Sequence, residues 1–306
     1  MRRIGVILVA VRELRARRSV IIERAAKIAL GSGARLELFH DLATPVYIES
    51  LVDSGESVAS LTRQARTHAM RQLERMAEPL RRKGVKVHTA AVWDFPPYEA
   101  VVRRAMAIKA DLVVVQKRGH HRLPALLGYT DWELLRASPI PVLLIKNARH
   151  RPRAPILAAV DPQHIGARTG ALEKRLLETA TALADALKAP LHAVQVLVPG
   201  TNTPSRRKTV LAGFAKTVRI KGSRIHLLAG DPDALLPATA RRLSAGVFVM
   251  GTMSRRGLKR LFIGNSAERL LDDLHCDVLV VKPPRYVAPL PRARRGVSFV
   301  SDLPTV

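Results

Sequence analysis

The residues best suited to chemistry lie in one loop late in the chain. It opens with Gly251-Thr252-Met253-Ser254 and closes with Gly264-Asn265-Ser266, just before an apolar segment predicted to be helical. Small residues let a backbone approach a ligand closely, and amides at a helix N-terminus attract negative charge. The loop therefore predicts a phosphate cradle. A simple turn with an N-capped helix is the structural alternative.

Basic residues stand between the two ends of this loop. Arg255-Arg256 and Lys259-Arg260 would add positive charge beside a bound phosphate. The loop has neither the Gly-Lys-Ser/Thr ending of a Walker A motif nor the Gly-x-Gly-x-x-Gly spacing of a dinucleotide site. Any phosphate site here therefore belongs to a different class of nucleotide-binding protein.

The chain that must position this loop contains an internal sequence repeat. Ile7 to Val11 corresponds to Ile156 to Val160, an offset of 149 residues, and Val142 to Lys146 corresponds to Val278 to Lys282, an offset of 136. The second copy is therefore 13 residues shorter, and the loss is assigned to its second helix, residues 209–218. A period of this length predicts two domains rather than a solenoid.

Each copy is predicted to alternate five strands with helices. The strands are continuous apolar runs such as Ile4–Val11, which are typical of strands covered on both faces. Helices separate them, with apolar stripes such as Leu172 to Leu187, and Gly84 is placed to end the long helix of the first copy. This alternation predicts an α/β fold with a doubly wound parallel sheet, whose ligands bind at the carboxyl ends of the strands.

The predicted domain boundaries follow the repeat. Residues 1–147 form the first domain, residues 154–284 the second, and residues 285–306 a basic tail rich in proline and arginine. The short segment between the domains contains prolines and arginines, as linkers commonly do.

The second copy carries the signature of a known family. Three segments between Gly251 and Pro283 resemble the C-terminal signature of universal stress proteins: Gly-Thr-x-x-Arg-x-Gly-Leu, Ile-Gly-Asn-Ser-Ala-Glu and Cys-Asp-Val-Leu-Val-Val-Lys-Pro. The tandem arrangement and Thr130-Asp131-Trp132 resemble the UspE type. The resemblance covers residues 3–146 and 154–284. It implies two adenine-nucleotide alpha-hydrolase-like domains that form a pseudo-dimer through their final strands, Val142–Ile145 and Val278–Val281.

Nucleotide-binding members of this family have the pattern Gly-x-x-Gly-x9-Gly-Ser/Thr, which the second copy matches in part. Gly251 and Gly264 match, whereas Ser254 stands where the second glycine belongs. Asn265 stands where Ser/Thr belongs, with Ser266 one place later. The resemblance implies that these residues hold phosphates, and the two departures leave a degenerate site as an open alternative.

Two further positions complete the implied site. Asp161, after the first strand, matches the acidic residue near ribose and adenine, and Val196, ending the second strand, matches the backbone contact to the adenine edge. The implied cofactor is ATP or a related nucleotide, with Mg²⁺ only when ATP binds.

The first copy matches the pattern less well. Arg12 stands where Asp161 stands in the second copy, and Gln116-Lys117-Arg118 replaces Gly251-Thr252-Met253, so that only Gly128 matches, at Gly264. We expect no nucleotide in this domain, whose role would be to pair with the second.

Composition limits the other partners. The net charge of +26 comes from 51 basic and 25 acidic residues spread along the chain, and aromatic residues make up only 4%. The sequence has no recognisable nucleic-acid-binding motif, so any binding to nucleic acid would be non-specific and salt-sensitive.

Single residues exclude other kinds of site. The single Cys276 excludes a disulfide, and His120-His121 lacks a third metal ligand. No apolar run reaches the ~20 residues of a membrane span, so we expect a cytoplasmic protein without membrane contact.

Three functions remain open at this stage. The first is a non-catalytic stress-response protein that binds ATP in its second domain. The second is a scaffold of the same fold with a degenerate site for another small or apolar ligand or a partner protein, and the third is weak association with nucleic acid. No nucleophile–base pair or paired carboxylates emerge, so slow ATP hydrolysis is the most catalysis expected. A homodimer is a further alternative.

Overall fold

The fold is described from a computed structural model of the 306-residue chain. The residues that it describes are 3–16, 19–42, 58–117, 130–146, 151–160, 170–197, 203, 205, 208, 220, 222–251 and 270–291. The predicted helix at 209–218 lies outside this set.

Each repeat contributes five strands. Those of the first repeat are β1 (Val6–Ala10), β2 (Arg35–Asp41), β3 (Val87–Val92), β4 (Leu112–Gln116) and β5 (Val142–Ile145). Those of the second are β6 (Ile156–Ala159), β7 (Leu191–Leu197), β8 (Ile225–Ala229), β9 (Val247–Gly251) and β10 (Asp277–Val281).

Helices connect the strands as the apolar spacing predicts. They are α1 (Val20–Ser32), α2 (Val58–Arg82), α3 (Pro97–Ala107) and α4 (Thr130–Ala137) in the first repeat, and α5 (Gly170–Leu187) and α6 (Pro232–Arg242) in the second. Gly84 follows the end of α2 with φ +84°, a left-handed conformation that favours glycine, so its predicted role is confirmed.

The chain divides into two compact units, which do not coincide with the repeats. The first-repeat unit comprises Gly5–Ala137 with Ala288–Val306, and the second-repeat unit comprises Ser138–Val287 with Met1–Ile4. The final strand of the first repeat, β5, therefore lies in the second-repeat unit. There it pairs antiparallel with β10, and Leu143 is in register with Leu279. This is the pairing of final strands that a pseudo-dimer requires.

The other described pairings are parallel. In the first-repeat unit the order is β3-β2-β1-β4. In the second-repeat unit it is β10-β9-β6-β7-β8, with β5 added outside β10. The first strand of each repeat thus lies between the second and the fourth, which is the doubly wound order predicted from the sequence.

Two aspartates at strand starts fasten neighbouring strands. Asp111, before β4, accepts hydrogen bonds from the backbone N–H groups of Gly5 (2.9 Å) and Val6 (3.1 Å). Asp277, the first residue of β10, accepts one from the backbone N–H of Lys146 (3.0 Å). Both carboxylates therefore satisfy backbone donors of an adjacent strand.

The residues just before the C-terminal tail are held by an arginine of the second-repeat unit. Arg175 donates to the carbonyl oxygens of Lys282 (3.2 Å), Pro283 (3.0 Å) and Pro139 (3.0 Å). In the first-repeat unit, Arg103 donates to the carbonyl of Pro291 (3.2 Å). Hydrogen bonds from arginines therefore hold the backbone just before the tail and at Pro291 within it. None of the described helices has the length and hydropathy needed to cross a membrane.

Candidate functional site

The reversal of strand order marks one crevice in each repeat. In the second repeat, β6 pairs with β7 on one side and with β9 on the other, and Ala158 is in register with both Ala193 and Val249. In an open parallel sheet, the connections leave in opposite directions at such a point and open a crevice at the carboxyl ends. The candidate loop residues follow β6 and β9 directly in the sequence, so the topology leads both segments to this edge.

Gly251 and Val196 are the candidate site residues that the structure describes. Gly251 is the last residue of β9 and is half-buried, and Val196 is the sixth residue of β7 and is buried. A Cβ on Gly251 would lie 2.9 Å from Cδ2 of Leu172 in α5. A larger residue at this strand end would therefore displace the end of the Leu172 side chain.

The remaining candidates, Asp161, Ser254, Gly264, Asn265 and Ser266, lie outside the described residues. The residue that leads to the first of them is described: the backbone N–H of Val160 donates to the carbonyl of Val194 (3.0 Å). The chain is thus tied to β7 up to the residue before Asp161. The basic loop residues at 255–260 and the His120-His121 pair also fall outside the description.

The equivalent crevice of the first repeat is bridged by an ion pair. Arg12 follows β1, and its Nη2 lies 2.5 Å from Oδ1 of Asp131 in α4. Its Nη1 lies 3.5 Å from the carbonyl oxygen of Gln116, at the end of β4. The guanidinium therefore spans the ends of the first and fourth strands, and Asp131 is buried beneath it.

A histidine beside this ion pair forms a hydrogen bond to the backbone. The Nδ1 of His40, in β2, lies 2.7 Å from the carbonyl oxygen of Val11. A carbonyl can only accept, so Nδ1 carries the hydrogen and donates it. His40 thus ties the end of β1 to β2.

Two further arginines of the first repeat are paired inside the unit. In α3, Arg104 forms a two-point contact with Glu37 of β2 at 2.5 and 3.0 Å. Hydrogen bonding to Glu37 raises the pKa of Arg104. Arg103 lies 2.9 Å from Asp94 and 2.5 Å from Glu99, and both carboxylates are buried. Part of the large basic excess therefore neutralises buried acids rather than facing a partner.

One pair of titratable residues escaped the sequence analysis. His192 in β7 and His226 in β8 are both half-buried, and Nδ1 of the first lies 3.0 Å from Nε2 of the second. A signal was present in the sequence, because each histidine is the second residue of its strand and the two strands are neighbours. Within the described ranges, no group of three or more His, Cys, Asp or Glu side chains could hold a metal ion.

Comparison with known proteins supports one family along nearly the whole chain. The profile of the universal stress protein family matches residues 4–146 and 154–282. Universal stress protein E of Escherichia coli strain K12 is 30% identical over 226 residues, which are 68% of this chain and 72% of that protein. Universal stress protein E of Photorhabdus laumondii is 25% identical over 295 residues, covering 89% of this chain and 93% of that protein.

Solved structures agree with this assignment. A protein of unknown function from Pseudomonas aeruginosa PAO1 is similar with a TM-score of 0.70 at 28% identity, over 92% of this chain and 93% of that one. A universal stress protein from Pseudomonas aeruginosa UCBPP-PA14 gives a TM-score of 0.67 at 29% identity, over 92% and 94% of the two chains. The two matched segments, the doubly wound order in each repeat and these relatives lead to one conclusion: the chain belongs to the universal stress protein family, as a tandem-domain member of the UspE type.

Proposed function

We propose that the second repeat binds one adenine nucleotide, ATP or a close relative, at the carboxyl ends of β6 and β9. The observation that carries the proposal is the reversal of strand order at these two strands, which the candidate residues follow in the sequence. Ligands of doubly wound sheets bind at this reversal. β7, which contains Val196, is the next strand along the same edge.

In this proposal each segment meets a different part of the nucleotide. The backbone of Val196 contacts the adenine edge, and Asp161 accepts hydrogen bonds from the ribose. Gly264, Asn265 and Ser266 provide donors for the phosphates at the start of the following helix. Mg²⁺ would be held by the phosphates of ATP together with water rather than by a cluster of protein carboxylates.

The described strand ends favour binding without rapid turnover. Ala159 and Val160 at the end of β6, Leu197 at the end of β7 and Met250-Gly251 at the end of β9 carry no acid, base or nucleophile. General acid–base catalysis needs such a group within hydrogen-bonding reach of the reacting atoms. We therefore propose a nucleotide-responsive stress protein of the cytoplasm, with at most slow ATP hydrolysis.

The first repeat is proposed to bind no nucleotide. The 2.5 Å pair of Arg12 and Asp131 lies at its reversal of strand order, where the second repeat has Asp161 after the corresponding strand. A ribose would meet a guanidinium already engaged by a carboxylate. One nucleotide per chain is the expected stoichiometry.

Equilibrium binding of labelled ATP tests this function. We would compare the wild type with Gly264→Arg and with the matched control Gly128→Arg, which makes the same change at the corresponding position of the first repeat. The wild type and Gly128→Arg should bind one nucleotide per chain. Gly264→Arg should lose at least about tenfold in affinity, or 1.4 kcal/mol.

Other results would contradict parts of the proposal. Absence of binding to the wild type would favour a scaffold with a degenerate site. Equal binding by Gly264→Arg would place the nucleotide elsewhere in the chain. Two nucleotides per chain would refute the closed first repeat.

A further inference from the structure

Two histidines on adjacent strands of the second repeat share one hydrogen bond. His192 lies in β7 and His226 in β8, with Nδ1 and Nε2 3.0 Å apart. Their ring planes differ by 5° and their centroids are 5.3 Å apart. The distance between the ring centroids is 2.3 Å longer than the N–N distance (5.3 − 3.0), which is about twice the distance from the centre of an imidazole ring to one of its atoms. Both nitrogens therefore lie near the line between the rings, and the imidazoles meet edge to edge in one plane.

This geometry limits how many protons the pair can hold. When both rings are neutral, one nitrogen donates its hydrogen and the other accepts it. A first added proton can sit on the outer nitrogen of the donor ring, and the bond remains. A second proton must occupy the accepting nitrogen, because the outer nitrogen of that ring already carries the hydrogen of its neutral tautomer. Two N–H groups then face each other at 3.0 Å, and the hydrogen bond becomes a repulsion between two cations.

The surroundings oppose protonation as well. Desolvation by burial lowers the pKa of His192, followed by the charges of His226 and Arg224. Burial and the charge of Arg242 lower the pKa of His226. These arginines come from the turn before β8 and from the end of α6, so both neighbouring segments present positive charge to the pair.

The other described elements that pack here add no compensating acid. Leu157 of β6 is in register with His192, and Val194 of β7 is in register with His226. The residues that α5 buries are Gly170 and a set of Leu and Ala side chains, and those that α6 buries are Pro237, Thr239 and Ala240. Within the described residues, the charges acting on the two imidazoles are therefore positive.

The position equivalent to His192 in the first repeat carries a charged pair instead. Leu36 and Leu191 are the register partners of the equivalent residues Ile7 and Ile156, so Glu37 corresponds to His192. Glu37 forms its two-point contact with Arg104 at 2.5 and 3.0 Å. An arginine–carboxylate pair keeps its charges throughout the physiological pH range, whereas a histidine pair titrates within it.

We propose that the His192–His226 pair is an acid-sensitive latch between β7 and β8, which loosens the edge of the second repeat when both imidazoles are protonated. The inference is independent of nucleotide binding. The direction in which stability changes with pH follows from proton linkage. Unfolded histidines have pKa values near 6.5, and the folded ones bind protons less readily. The second repeat therefore loses stability as pH falls below about 6.5, and keeps it at higher pH.

Hydrogen exchange followed by mass spectrometry tests the latch. Backbone protection of residues 191–229 would be measured at about pH 7.5 and pH 5.5, on either side of the usual histidine pKa, with correction for the intrinsic exchange rates. We expect a several-fold loss of protection at the lower pH in the wild type. The loss should disappear in the double variant His192→Gln, His226→Gln, because glutamine can still hydrogen-bond but does not titrate.

A matched control uses a histidine on the edge strand of the first repeat. His88 in β3 is exposed, and His88→Gln should keep the wild-type acid response of β7 and β8. Equal protection at the two pH values in the wild type would overturn the proposal. So would an acid response that persists in the double variant.

Titration of the wild type by NMR keeps the test independent of how the variants fold. We expect two protonation steps for the pair, both below the usual pKa of about 6.5 for a histidine. Two independent titrations at the usual histidine pKa would overturn the latch, because coupled sites lose their protons in separate steps.

Discussion

Arg12 follows the first strand of one repeat and Asp161 follows the first strand of the other. In the first repeat the arginine is already paired with Asp131, 2.5 Å away, and reaches the carbonyl of Gln116. The strand ends before them are alike, because Val11 and Val160 are both buried and apolar. The same fold thus has residues of opposite charge at the two corresponding positions.

The two repeats also differ in the helices α3 and α6. Pro97 and Pro232 begin α3 and α6, so Arg103 and Arg104 correspond to Ala238 and Thr239. Both arginines neutralise acids of their own unit, whereas the second repeat has no charge at either position. A duplicated domain can therefore turn one copy into a charge-stabilised support, which leaves the other copy to keep a ligand site.

Removing Arg103 should have the largest effect on this contrast. Arg103→Met removes the guanidinium that contacts Asp94 and Glu99, which are 2% and 0% exposed. Breaking a buried charge cluster in this way costs about 3–5 kcal/mol. Urea unfolding should show this loss of stability. Ala238→Met, at the exposed equivalent position, should change stability by less than about 0.5 kcal/mol.

A rescue variant sharpens the interpretation. Adding Asp94→Asn and Glu99→Gln to Arg103→Met removes the buried negative charges and should recover part of the lost stability. If the triple variant is no more stable than Arg103→Met, lost packing rather than uncompensated charge explains the defect.

The bridge at the first-repeat crevice should give the next largest effect. Asp131→Asn removes the charge that Arg12 meets, and the two side chains are only 11% and 22% exposed. We expect a loss of about 1–3 kcal/mol in urea unfolding, between the values for surface and buried pairs. Exchanging the residues, Arg12→Asp with Asp131→Arg, should restore part of it. An exchange variant less stable than both single variants would show that the pair is not interchangeable.

The sequence predicted much of this fold but few of the side-chain contacts between distant residues. Continuous apolar strands and the repeat offsets sufficed for the doubly wound order, and Gly84 ended its helix as expected. The partner of Arg12 was out of reach, because Asp131 is 119 residues away and only the folded sheet brings them together. His192 and His226 are separated by 34 residues, and their contact depends on the register of β7 with β8.

A smaller effect is expected from the contact of Arg104 with Glu37. Arg104→Thr introduces the residue found at the equivalent position of α6, and the arginine side chain is 34% exposed. Glu37 is buried, but the guanidinium of Arg104 is the more exposed of the two arginines in these pairs, so urea unfolding should show a loss of about 1 kcal/mol, at the lower end of the range for Asp131→Asn. Arg104→Lys keeps the charge and should lose less. A loss larger than that of Asp131→Asn would reverse our ranking of the two pairs.

The smallest perturbation uses Cys276, which belongs to the second repeat alone. Burial, with the charge of Asp277, raises the pKa of its thiol from 9.0 to about 11. At about pH 8 the native protein should therefore carry roughly a hundredfold less thiolate than an unfolded chain, and label with a thiol reagent correspondingly slowly. Comparing labelling rates with and without urea measures this difference. Rapid labelling of the native protein would show that the second repeat opens around β10.

The pairing of the final strands also has a consequence for dividing the chain. By sequence β5 ends the first repeat, yet it pairs with β10, and Asp277 accepts the N–H that follows it. If the chain were cut between the two repeats, β10 would keep its parallel neighbour β9 but would present its other edge until β5 of the separate fragment returned to it. The two fragments should therefore reassociate through this antiparallel pair.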